Sequence, residues 1–216
     1  NYGFISSNEG TIYNLSFYDI TITKDKKFNV SELLIGVIVG LNNGNINYCK
    51  VYNTTADIEL ASSCLGVLVG KNASKGVIEN STSNCSRIIG SGSVGGLVGY
   101  NEGEIKSSSV YDCHITYIYN EKNGEIGLAC GYNEGNVECD RVGGMLYWTC
   151  TDNDSSIYPA IGRIIGHNTK SGTYSVSTTN IGWDMSWKSS QILWWTAFDQ
   201  GGRVFKFDDR NVGWQE

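Results

Sequence analysis

The chain has 216 residues, a net charge of −6, 18 % charged side chains, 27 glycines and one proline. The acidic balance excludes a nucleic-acid partner, which requires a basic face, and no apolar run reaches the ~18–20 residues of a membrane-spanning segment. Aliphatic and aromatic residues occur throughout, which excludes a disordered chain.

In chain order, the first recognisable element is "GFISSNEGTI" (residues 3–12), the clipped form of a longer unit. That unit recurs in full as "IGVIVGLNNGNI" (35–46), "LGVLVGKNASKGVI" (65–78), "VGGLVGYNEGEI" (94–105), "IGLACGYNEGNV" (126–137) and "IGRIIGHNTKSGTY" (161–174). Aligned on the second glycine (Gly40, Gly70, Gly99, Gly131, Gly166), the copies are 30, 29, 32 and 35 residues apart, a solenoid-like period. Four positions before this anchor stand Gly36, Gly66, Gly95, Gly127 and Gly162, and two before it the apolar Ile38, Leu68, Leu97, Ala129 and Ile164. Two after it stand Asn42, Asn72, Asn101, Asn133 and Asn168. A further glycine closes each turn: Gly10 in the clipped copy, then Gly44, Gly76, Gly103, Gly135 and Gly172.

These columns carry expectations. The turn glycines should supply a positive φ. The asparagines should stack, one per coil, each amide donating to one neighbour and accepting from the other. Insertions such as Ala73-Ser74 and Thr169-Lys170 fall between Asn and Gly, where a loop lengthens without disturbing stacked strands. After each turn comes an alternating run such as "NINYCKVY" or "EIKSSSVY", then a second β-rich stretch such as "ADIELAS" or "HITYIYN". Period-two patterning predicts strands, and no segment of ten residues carries helical periodicity. Three short strands per ~30-residue coil predict an all-β fold: a parallel β-helix of about six coils over residues 1–180. A propeller, with four strands and ~40 residues per blade, ranks second.

The Gly-Leu-Val-Gly core at 96–99, followed by x-Asn-x-Gly and an isoleucine, resembles the GLUG repeat. The resemblance runs over roughly residues 2–180, with departures at Ala129-Cys130 and Arg163. It implies a repetitive β scaffold of large secreted and cell-surface bacterial proteins, adhesin-like ones among them, without activity of its own. In the family's IgA-specific peptidases the zinc motif lies in another domain, and HExxH is absent here.

Residues 181–216 break the pattern and hold Trp183, Trp187, Trp194, Trp195 and Trp214. They are expected to form a β cap on the last coil, or a surface for glycan or protein contact. Seven cysteines, at 49, 64, 85, 113, 130, 139 and 150, form no CxxC pair, and there are two histidines, so neither a metal nor a cofactor is expected. The cysteines read as small buried side chains, with disulfides in an oxidising compartment as the alternative. Asn14, Asn29, Asn53, Asn80, Asn84 and Asn153 are candidate N-glycosylation sites, whereas Asn72, also a sequon, is expected to be buried.

Catalysis finds little support. Glu9, Glu102 and Glu134 come one per coil as turn residues, Asp112 and His114 share an ordinary surface, and "FDDR" (207–210) reads as a turn, so no catalytic residue is expected. Two features point to assembly. If the Ile38 column points inward, strict alternation places Ile35, Leu65, Val94, Ile126 and Ile161, with Val39, Val69, Val98, Cys130 and Ile165, as an apolar stripe outside, to be covered by the Trp-rich tail or another subunit, or turned inward by a bulge. The chain also starts inside a repeat, which would leave a strand edge open. The sequence therefore reads as a secreted or cell-surface structural protein: a fibre building block or adhesin stalk, self-associating head to tail or laterally, or part of a larger surface protein. A carbohydrate-binding module using the tryptophans is the alternative, and a polysaccharide-acting enzyme comes third.

Overall fold

A computed structural model describes residues 1–23, 33–58, 63–84, 86–119, 124–150, 160–185 and 212–215. Every regular element among them is a β-strand, and every strand pairing is parallel. The chain visits three sheets per turn. The first sheet takes Leu33–Gly36, Ser63–Gly66, Ser93–Gly95, Glu125–Gly127 and Ala160–Ile161. After a two-residue bend, the second takes Ile5–Asn8, Val39–Asn42, Val69–Asn72, Val98–Asn101, Cys130–Asn133, Ile165–Asn168 and Val212–Gln215. The third, of twelve strands, follows the Asn-Gly turn. Counted between successive first-sheet strands, the described residues close about four turns of a β-solenoid, with partial turns on either side. Six coils were anticipated.

The third sheet is bent twice per coil. Left-handed φ values of 43–56° occur at Asn14, Tyr48, Asn80 and Ser107, and again at Asp19, Asn53 and Asp112. Asn and Asp tolerate this region because their short polar side chains bond locally, so most of these bends are chemically marked. What the alternation suggests as two stretches is thus three short arms of one sheet.

The core is a set of stacked rows. Ile12, Ile46, Ile78, Ile105 and Val137 are register partners along the third sheet and all are buried. At the corner between the first two sheets, Ile38, Leu68, Leu97, Ala129 and Ile164 are buried likewise. Each fully buried aliphatic side chain contributes about 1.5–3 kcal/mol, and the rows repeat that gain coil after coil.

Of the readings open for the apolar stripe, the structure shows the inward turn. Ile35, Leu65, Val94 and Ile126, with Val39, Val69, Val98, Cys130 and Ile165, belong to the same buried cluster as Ile38. The bend at Val37–Ile38, and its counterpart in each coil, resets the side-chain alternation. The glycine columns let this corner close. A Cβ at Gly99 would lie 2.5 Å from the Leu65 nitrogen, and one at Gly131 2.5 Å from the Val94 nitrogen. Only glycine allows backbones to approach so closely.

Candidate functional site

The asparagine column is the most regular constellation in the chain. The Asn8 Nδ2 donates to Asn42 Oδ1, Asn42 to Asn72, Asn72 to Asn101 and Asn101 to Asn133, each at 2.8 Å, and Asn133 to Asn168 at 2.7 Å. Asn42, Asn72, Asn101 and Asn133 are completely buried. The second Nδ2 proton closes each residue's own turn, on the carbonyls of Gly44 (3.0 Å), Gly76 (3.2 Å), Gly103 (3.2 Å), Gly135 (3.3 Å) and Gly172 (2.9 Å). The lengthened turns at Asn72 and Asn168 thus return the glycine to the same place. The backbone donates in the opposite sense: the nitrogens of Glu102 and Glu104 bond back to the carbonyls of Asn72 and Gly76 at 2.8 and 2.9 Å. Asn8 escapes the alignment of full copies, although "NEG" at 8–10 matches "NEG" at 101–103.

The turn glycines have a different reason to be glycine from the one expected. Among the described residues the one glycine with positive φ is Gly144, at 149°. The turn glycines instead sit under the coil stack. A Cβ at Gly103 would lie 2.5 Å from the Ala73 carbonyl oxygen and closer still to that of Gly76, and one at Gly172 would lie 2.5 Å from Asn168 Oδ1. A Cβ at Gly10 would point away from the neighbouring coil, whose Asn45 nitrogen bonds the Gly10 carbonyl at 2.8 Å, and would meet nothing within 4 Å.

A second column runs along the outer side of the second sheet, one position before each asparagine: Ser7, Leu41, Lys71, Tyr100, Tyr132 and His167. Lys71 Nζ lies 4.5 Å over the Tyr100 ring and bridges Glu102 at 2.7 Å. Tyr100 stacks on Tyr132 at 4.6 Å, and Tyr132 meets His167 edge-on at 4.7 Å. Burial, then the neighbouring Glu134 carboxylate, push the Tyr100 phenol well above its ordinary range. On the first sheet, burial raises the Glu125 carboxyl while the Ser93 hydroxyl, donating at 2.5 Å, works against that shift.

The remaining candidates scatter. Cys49, Cys113, Cys130 and Cys139 are buried free thiols, and Cys64 is buried beside them in the first sheet. Burial pushes the Cys49, Cys113, Cys130 and Cys139 thiols upward, Cys139 to about 12. Cys85 lies outside the described residues. Asn14 and Asn53 are exposed at bends of the third sheet, Asn80 and Asn84 are half-buried there, and Asn29 and Asn153 lie outside the described residues. Asn72 is fully enclosed in the ladder. Asp112 and His114 meet at 3.3 Å on the surface. Among the described residues no cluster of three or more His, Cys, Asp or Glu is placed to hold a metal.

Of the tryptophans, Trp187, Trp194 and Trp195 lie outside the described residues, as do "FDDR" and most of the expected cap. Trp183 falls in the strand Thr173–Met185, in register with Leu146, and Trp214 in Val212–Gln215, in register with His167. The boundary drawn at 180 lies inside the first of these strands. "VGWQ" therefore occupies the place of "VGYN" and "IGHN", with Gln215 in register with Asn168. Its similarity to those segments was the available signal, hidden by the 47-residue gap from Gly166 to Gly213 and the exchange of Asn for Gln.

Comparison with curated proteins finds no match, and comparison with solved structures finds none. Residues 90–116 match the family model described as the GLUG motif. That segment holds Gly95, Leu97, Gly99, Asn101 and Gly103, one member of each column described above. Residues 90–116 thus carry the GLUG motif, and the chain stacks units with the same columns coil upon coil, as a GLUG-type repeat.

Proposed function

We propose that the chain is a secreted or cell-surface structural and adhesive repeat protein, a building block of a surface fibre or an adhesin stalk. In this reading it is a stiff rod of about six coils, with the Trp-rich tail as cap or contact segment. The observation that carries the reading is the unbroken asparagine column, which makes each coil a template for the next. At ~4.8 Å per coil, six coils give a rod roughly 30 Å long. Its work is mechanical: parallel registers resist bending, and the ends or the tail make contacts.

Self-association runs head to tail through the coil ends, since the register that joins coils within a chain serves equally between chains. The apolar rows are inside the core and unavailable for lateral pairing. The alternative partner is a larger surface protein. Sequons at Asn14, Asn53, Asn80 and Asn84 on the third sheet suit an extracellular glycoprotein. No catalytic residue, metal or cofactor takes part. Light scattering and negative-stain images of the native protein test the reading. The expected result is rods or end-to-end strings of constant width, in mass multiples of 23.6 kDa. A compact monomer at every concentration overturns the self-association.

A further inference from the structure

Among the described residues the exposed large apolar side chains are Tyr2, Phe4, Tyr13, Tyr18 and Tyr48, all aromatic. Three of them stand on the outside of the third sheet, Tyr13 and Tyr48 at its first bend and Tyr18 in the arm that follows. Tyr13 is 65 % exposed, Tyr18 61 % and Tyr48 48 %. Tyr13 and Tyr48 meet edge to face at 5.6 Å, and Tyr18 lies flat against Tyr52 at 4.9 Å and 7°. The two pairs are separated by at most five residues along the strands, no more than about 16 Å.

The groups around them are short and polar: Asn14, Ser16, Asn47 and Thr55, with the Asn53 amide donating to Asp19 at 2.5 Å. Asp19 and Lys50 balance in charge. We infer that this face, built on Tyr13, Tyr18, Tyr48 and Tyr52, binds an uncharged polysaccharide. Tyrosine rings offer an apolar face for the C–H side of a sugar ring together with a polar tip. The surrounding amides and hydroxyls supply both donors and acceptors for sugar hydroxyls. A parallel sheet holds the rings in fixed places, so little is lost in ordering the site. The patch has no aliphatic groove to receive a helix and lacks the basic groups an anionic polymer needs. The inference is independent of self-association, since a monomeric rod keeps this face.

The test uses the full chain from a host without N-glycosylation, because Asn14 and Asn53 are sequons inside the patch. The probes are native gels cast with β-glucan, xylan or galactomannan, and sedimentation with cellulose or chitin. Retardation or co-sedimentation with at least one probe is expected. It should weaken tenfold or more in Tyr13→Ala/Tyr18→Ala, with Trp214→Ala unchanged. Should the double variant unfold, Tyr13→Ser alone serves the same comparison. Absence of retention by all five probes overturns the inference, as does retention that the variant keeps. It is also overturned if the wild type is unretained and the variant only lowers the oligomeric mass, since the face would then join copies of the chain.

Discussion

Asn101→Ala cuts the amide column at its middle. The wild-type side chain donates to Asn133 Oδ1 at 2.8 Å and accepts from Asn72 Nδ2 at 2.8 Å, with none of its surface exposed. With the bond to the Gly103 carbonyl at 3.2 Å, its removal costs three buried hydrogen bonds at about 1 kcal/mol each and leaves a small cavity. The neighbours keep partial substitutes, because Asn72 still reaches the Gly76 carbonyl at 3.2 Å and Asn133 Oδ1 still accepts from the Gly135 nitrogen at 3.2 Å. The net loss should be about 3 kcal/mol, which lowers the melting midpoint by roughly 6–12 °C in a chain of this length. Asn8→Ala removes one such bond at the edge of the stack, and should cost about 1 kcal/mol. Thermal and urea unfolding followed by circular dichroism measure both variants, and hydrogen exchange locates the loss in the coils holding Asn72 and Asn133. A loss at Asn101 no larger than that at Asn8 would refute the claim that the amides act as a continuous column. Asn101→Asp adds a control. It buries a carboxylate at pH 7, so its deficit should shrink as the pH falls and the group becomes neutral.

Gly103→Ala should cost more than about 2 kcal/mol or block folding, because its Cβ runs into the Gly76 and Ala73 carbonyls, while Gly10→Ala is neutral within about 0.5 kcal/mol. The same unfolding curves compare the pair. Ser83 is fully buried in register between Val51 and Val110, with no partner for its hydroxyl. Ser83→Val should therefore raise stability by about 1–2 kcal/mol, provided the row admits two methyl groups. For Cys139, burial raises the folded-state value to about 12, above that of the unfolded chain. The stabilisation is complete below about pH 8.5, declines as pH rises above it and is gone beyond the folded value, amounting to about 2 kcal/mol lost by pH 10. Cys139→Ala should lose less stability than wild type between pH 8 and 10, and a thiol reagent should leave the buried cysteines unmodified until the chain unfolds.

The legible part of this fold is whatever recurs once per coil. Asn42, Asn72, Asn101 and Asn133 share a spacing and a turn context, and an amide at such a place has few other uses. The glycines are equally visible, yet their purpose is not. Whether Gly103 is chosen for its φ or for the carbonyl pressed against it depends on which atom lies in the adjacent coil, and linear order does not carry that. The choice between an outer stripe and an inward turn lies at Val37–Ile38, two apolar residues with no Gly-Pro or Asn-Gly mark, which turn the chain and invert its alternation. Bends at Asn14, Asp19, Asn53 and Asp112 carry turn chemistry, whereas Tyr48 and Ser107 at equivalent places disguise the pattern. The tyrosine face was missed because its pairs come from different coils, so no single stretch of sequence contains it.

All five side-chain bonds in the asparagine column point the same way along the solenoid. The side-chain dipoles therefore add instead of cancelling, and the column has a direction, with carbonyl oxygens towards the first coil and amide protons towards the last. Two such stacks placed mouth to mouth would oppose oxygen to oxygen or amide to amide, so any junction that prolongs the column has to preserve its arrow. A fibre assembled on that rule has unlike ends, and growth at one need not match growth at the other.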